Sequence, residues 1–142
     1  MIATMIVAVI MTLTPADLPT IEAVQAERYR RDFRAFVGAA WPVIEPSPLK
    51  SSWHIDALCA ALQAVAEKKL FKILINIPPR TAKTRIVSEL FPCWLWARDP
   101  GVRALVASYS LDLSRESNRV RRLLITSEWY GARWGAAGRG TT

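Results

Sequence analysis

The sequence predicts an α/β fold in which parallel strands are flanked by helices, and three observations carry that expectation. Two short apolar runs, Phe71 to Ile77 (FKILINI) and Val102 to Ser108 (VRALVAS), have the length of strands, and the first has the branched residues of a strand buried on both faces. A helical stretch from Thr84 to about Ala97 lies between them, and another from Ser110 to about Thr126 follows the second. Strand, loop, helix, turn, strand and helix in that order form a βαβ unit, whose crossover is right-handed in a parallel sheet.

Helices precede this core. Tyr29, Phe33, Phe36, Val37 and Ala40 recur at three- and four-residue spacing among Arg28, Arg30, Arg31 and Arg34, which predicts an amphipathic helix from Thr20 to about Ala40. It should stop at Trp41-Pro42, because the residue before proline is pushed out of the helical region. WPVIEPSPLKSS, with its three prolines, reads as a rigid extended connection. Ser51 or Ser52 then caps a helix whose stripe is Ile55, Leu58, Leu62 and Val65, ending in the basic turn Lys68-Lys69. Further on, Pro92 should kink or divide the helix that carries it, and Asp99-Pro100-Gly101 should turn the chain.

At 142 residues, with 51% hydrophobic and 22% charged residues, the chain has the composition of one modest globular domain and not of a disordered segment. The net charge of +7 is uneven. Residues 1–70 hold seven cations and seven acids, whereas residues 71–142 hold twelve cations against five acids. A polyanionic partner, nucleotide or nucleic acid, is one reading of that excess, and a solvated basic surface is the other. Cys59 and Cys93 stand in apolar stretches (ALCAAL and FPCWLW) rather than in a CxxC arrangement with nearby histidines, so neither a zinc site nor a disulfide framework is suggested. They read as small core residues in a reducing compartment. The opening MIATMIVAVIMTLT has no basic residue ahead of it and is too short to span a bilayer. A signal peptide is the weaker reading beside a buried strand or helix, or an upstream translation start ahead of Met5 or Met11, and residues 1–19 are set apart from a domain at 20–142.

The chemistry concentrates in the loop after the first strand. Holding a triphosphate there takes inward-pointing backbone N–H groups, a lysine for the outer phosphates and a hydroxyl for magnesium. Ile77-Pro78-Pro79-Arg80-Thr81-Ala82-Lys83-Thr84 supplies Lys83 and Thr84 where such a loop meets its helix. Ile77 and Ala82 occupy the two glycine positions of GxxxxGK[ST], and a positive φ at Ala82 would cost on the order of 1 kcal/mol. An ordinary strand-to-helix turn with a surface cation is the other reading of the loop.

The succession WHIDAL, LFKILINIPPRTAKTRIVSELFPCWLWARDPG and ALVASYSLDLSRESNRVRRLLITSEWYGARWG resembles the amino-terminal ATPase region of phage terminase large subunits, over roughly Arg30 to Gly135. The resemblance implies a partial P-loop NTPase fold with ATP and Mg2+ as cofactors. Pro79, Arg80, Thr81, Ala82, Lys83 and Thr84 would then hold nucleotide, with Arg80 and Lys83 catalytic and the Thr84 hydroxyl on the metal. Trp53 and His54 match positions near the adenine, where a ring would stack; a packing tryptophan and a surface histidine are the alternative. The family's partners are double-stranded DNA, a small terminase subunit and a portal protein, with identical subunits in a ring and no membrane. Ser108-Tyr109-Ser110 would touch nucleotide or simply cap a helix. Arg115, Arg119 and Arg122, one face of the last helix with Arg121 adjacent, would meet DNA or a neighbouring subunit, or form a solvated face paired with Asp112 and Glu116.

Hydrolysis further requires an acidic pair on a later strand, and the family carries a nuclease domain beyond it. Neither follows Thr126, and GAAGRGTT reads as a ragged end, so the domain is expected to be truncated and inactive by itself. Another nucleic-acid translocase of the same loop type, or a non-catalytic prophage remnant that binds DNA or protein, is the alternative.

Overall fold

The computed structural model describes residues 18–135; the apolar opening and the glycine-rich end, apart from their innermost residues, lie outside that range. Six α-helices and one π-helical segment make up its regular structure: α1 (Ile21–Arg31), α2 (Phe33–Ile44), α3 (Trp53–Ala66), the π-helical segment Arg85–Leu90, α4 (Phe91–Arg98), α5 (Leu111–Ile125) and α6 (Glu128–Trp134). No strand occurs among the described residues, which overturns the expected α/β sheet and its βαβ core.

The physical reason lies in pairing and burial. Residues 72–78 and 102–108 run without helix, turn or bend, as strands would, but a strand is defined by hydrogen bonds to a neighbour. Among the described residues, no main-chain hydrogen bond involves residues 71–76 or 103–107. Burial on both faces fails as well: Ile75 and Ile77 pack against the core, whereas Leu74 and Leu105 are each 95% exposed.

The first predicted helix is two. Asp32, extended at φ −128° and ψ 104°, ends α1 and caps α2, its carboxylate accepting from the Ala35 N–H at 3.0 Å. The expected stop at Trp41-Pro42 is also corrected, because α2 carries Pro42 and continues to Ile44. Burial of Trp41 and Ile44, one turn apart, holds that last turn, and the Trp41 indole donates to the Ser47 carbonyl at 2.8 Å. α3 follows its predicted stripe, with Ile55, Leu58 and Leu62 buried. It closes on Lys68, which adopts φ 59° while the Lys68 and Lys69 N–H groups return to the Val65 and Ala64 carbonyls, a Schellman closure.

An aromatic cluster joins the layers. Phe33 of α2 lies 4.8 Å from Trp94 and 5.4 Å from Phe91, both of α4. Phe36 lies 5.8 Å from Trp134 of α6. Two polar tips within the cluster are bonded, the Trp94 indole donating to the Tyr29 carbonyl at 2.6 Å and the Tyr130 hydroxyl to the Cys93 carbonyl at 2.9 Å, whereas the buried Trp134 indole N–H has no partner among the described residues. Burial raises the Cys59 thiol to about 11 and the Cys93 thiol to about 12, so both stay protonated core groups.

Candidate functional site

The loop after Ile77 leads into the helical run that begins at Lys83. Its backbone alternates in hand: φ is 63° at Arg80 and 61° at Ala82, and negative at Thr81 between them and at Lys83 after them. Alternation of right- and left-handed residues is the pattern by which successive N–H groups come to face one side in an anion nest. Neither left-handed residue is glycine, so each conformation costs on the order of 1 kcal/mol. A positive φ at Ala82, the condition for that cost, is therefore present.

Two side chains brace the loop from within. The Thr81 hydroxyl donates to the Pro78 carbonyl at 2.7 Å, and the Lys83 ammonium donates to the Ile77 carbonyl at 3.4 Å. The ammonium therefore lies back over the loop. Pro79 and Arg80 are exposed, and so is Thr84, whose hydroxyl has no hydrogen-bond partner among the described residues. No acid occurs between Lys68 and Arg85, so the loop's charge is wholly positive.

The following turn is anchored by a polar network absent from the sequence reading. Glu89, 3% exposed, accepts from Arg85 at 2.9 Å and from the Ser117 hydroxyl at 3.4 Å, while Arg85 also pairs with Glu45 at 3.5 Å. Arg121, 9% exposed, donates to the Ser88 carbonyl at 2.6 Å and to the Asn118 side chain. The available signals were weak: Glu89 stands four residues after Arg85, and Arg121 falls off the Arg115, Arg119 and Arg122 stripe.

Thr84 also lines a cleft of about 590 Å³ between the helical run 84–96, residues 104–109 and α5, with Ser88, Ser117 and Arg121 on its walls. Trp53 and His54 are not part of it. Trp53 is 81% exposed on the first turn of α3, its ring centroid 6.3 Å from that of His54, which shares a hydrogen bond with Ser52 at 2.9 Å. Tyr109 is 97% exposed, and Ser110 makes no side-chain capping bond to α5.

On α5 the exposed arginines follow the paired reading. Arg119 holds Glu116 through two bonds of 3.0 Å, which keeps the Glu116 carboxyl below its usual range, and Arg115 lies 3.8 Å from Asp112. Arg122 enters no ion pair among the described residues. No group of three or more His, Cys, Asp or Glu among the described residues is placed to hold a metal. No helix among them is long and apolar enough to cross a membrane.

No protein-family model matches the chain, and no curated protein or solved structure matches it either.

Proposed function

We propose that the chain is the ATP-binding amino-terminal part of a terminase large subunit, the enzyme that when complete hydrolyses ATP to drive viral double-stranded DNA into a capsid. The observation that carries this reading is the alternating φ through Arg80-Thr81-Ala82-Lys83, in a loop whose charge is entirely positive. The reading rests on that loop and not on a sheet.

The residues fit a polyphosphate. Backbone N–H groups around Thr81 would cup the terminal phosphate, and an anion there would draw the Lys83 ammonium from the neutral Ile77 carbonyl, because a charge-assisted bond outweighs a neutral one. Arg80, exposed and on the same loop, would meet the outer phosphate oxygens as their charge builds. Mg2+, when bound with ATP, neutralises charge on the phosphates, and the Thr84 hydroxyl would hold it. Trp53 and His54 are proposed for the base only if the nucleotide reaches beyond the cleft that Thr84 lines. Arg122, without an ion pair among the described residues, is the α5 residue proposed for a DNA phosphate.

Equilibrium binding of a fluorescent ATP analogue with magnesium tests the proposal, with inorganic triphosphate as competitor. Saturable binding that triphosphate displaces, weakened at least tenfold by Lys83→Ala and unchanged by Arg115→Ala, is the expected result. Absence of saturation at millimolar analogue, or equal affinity in Lys83→Ala, would overturn it.

A further inference from the structure

We propose that Arg85 is a positioning residue for magnesium nucleotide, a role that rests on the nucleotide reading: clamped between Glu45 and Glu89, it fixes where the backbone carries the Thr84 hydroxyl. Thr84 is exposed, and its hydroxyl has no hydrogen-bond partner among the described residues. Its branched side chain has few rotamers in a helix, so the direction of the hydroxyl follows the direction of the backbone. Whatever fixes the turn therefore aims the oxygen.

Arg85 follows Thr84 in the same turn. Its guanidinium lies 2.9 Å from the Glu89 carboxylate, four residues on, and 3.5 Å from that of Glu45, the C-cap of α2. Glu89, 3% exposed, also accepts from Ser117 of α5. One side chain thus ties the turn after the loop to α2 directly and to α5 through Glu89. Ile86 is wholly buried beside it, but apolar contact is non-directional and lets a turn rotate, whereas ion pairs to carboxylates on two elements resist rotation. Arg80 and Lys83 enter no ion pair among the described residues. The Arg85 charge already faces two carboxylates, so its field at a phosphate is offset and its contribution is geometric.

Affinity for the fluorescent ATP analogue, measured with magnesium and again in EDTA, gives a ratio that isolates the metal. Lost contact with phosphate, or general loosening of the fold, lowers both affinities alike; a displaced Thr84 hydroxyl lowers the ratio. Partners behind a metal ligand typically change metal affinity by about 10- to 100-fold, so Arg85→Met should lower the ratio about tenfold and leave the affinity in EDTA near that of the parent chain. Arg85→Lys, which keeps the charge and can reach one carboxylate, should restore part of the loss. Glu45→Gln, at a side chain 28% exposed, leaves Glu89 in place and should give an intermediate loss, which keeps the test open if Arg85→Met does not fold. In a Thr84→Val chain, Arg85→Met should lower the ratio no further. Ratios unchanged by Arg85→Met and Glu45→Gln, affinities that fall alike in both buffers, a further loss in the Thr84→Val chain, or a parent chain that magnesium does not help would each overturn the role of Arg85. A parent chain that binds no analogue in either buffer would overturn the nucleotide reading itself, and this role with it.

Discussion

The Arg121 guanidinium donates to the Ser88 carbonyl at 2.6 Å, four residues before Pro92. In a regular α-helix that carbonyl would accept from the N–H of residue 92, which proline lacks. The chain widens into the π-helical segment Arg85–Leu90, where the Phe91 N–H reaches the Ile86 carbonyl five residues back, and α4 starts with Pro92 in its first turn, a position proline tolerates. Arg121 thus supplies from α5 the donor that the sequence removes, and ties the turn after the loop to that helix.

Arg121→Met should therefore destabilise the fold by about 1–2 kcal/mol, since a part-buried carbonyl loses its partner. In a Pro92→Ala background the restored N–H can reach Ser88, so the same change should cost measurably less. Urea denaturation of the four chains of this double-mutant cycle measures the difference. Additive effects would mean that the two donors do not serve one carbonyl.

Ala82 stands at φ 61°, where its Cβ crowds the backbone. Ala82→Gly removes that crowding but adds freedom to the unfolded chain, and the two effects oppose each other. Relief of left-handed strain is worth about 1 kcal/mol and the glycine entropy somewhat less, so a small rise in stability is expected. Ala82→Val, branched at Cβ, should lower it clearly. A drop with glycine as large as the drop with valine would place Ala82 at negative φ.

Helical faces were legible because they depend on local periodicity: Ile55, Leu58 and Leu62 are buried as spaced, and Asp99 turns the chain, its carboxylate accepting from the Gly101 N–H at 2.9 Å. The sheet was misread because FKILINI and VRALVAS record only a preference for extended backbone, and pairing depends on a neighbour that a local pattern does not contain. Asp32 was overlooked as a helix boundary because the apolar spacing runs through it unbroken. In the loop, Lys83 and Thr84 were legible by type, and the left-handed conformation at Ala82 was foreseen as a condition. The same conformation at Arg80 was not, since arginine gives no sign of it. Glu89 and Arg121 stayed hidden because burial of a charge is decided by partners up to 33 residues away.

Two carboxylates separate buried from exposed pairing. Glu89→Gln should cost about 2 kcal/mol, below the usual toll of breaking a buried pair because Arg85 is 30% exposed and keeps Glu45. Glu116→Gln, on the surface of α5, should leave the denaturation midpoint where it was. Equal shifts would mean that Glu89 is hydrated and that the network does not anchor the turn after the loop.

Alkaline pH probes the core through its thiols. Burial raises Cys59 from 9.0 to about 11 and Cys93 from 9.0 to about 12, so between those values the unfolded chain releases protons that the folded chain retains. With fewer protons bound in the unfolded state, stability is intact below pH 9 and falls as pH rises through the folded values, by up to one proton per thiol in slope. Tyr130, also raised by burial, adds to the fall, so the comparison must isolate the sulfur. Cys93→Ala lowers stability at every pH by opening a cavity, but its profile between pH 9 and 11 should be flatter than that of the parent chain. Iodoacetamide at pH 8 should label neither cysteine in the folded chain and both in urea. Labelling of Cys93 without denaturant, or parallel profiles in the two chains, would show that the thiol is open to water and that the Cys93 face of α4 is not sealed.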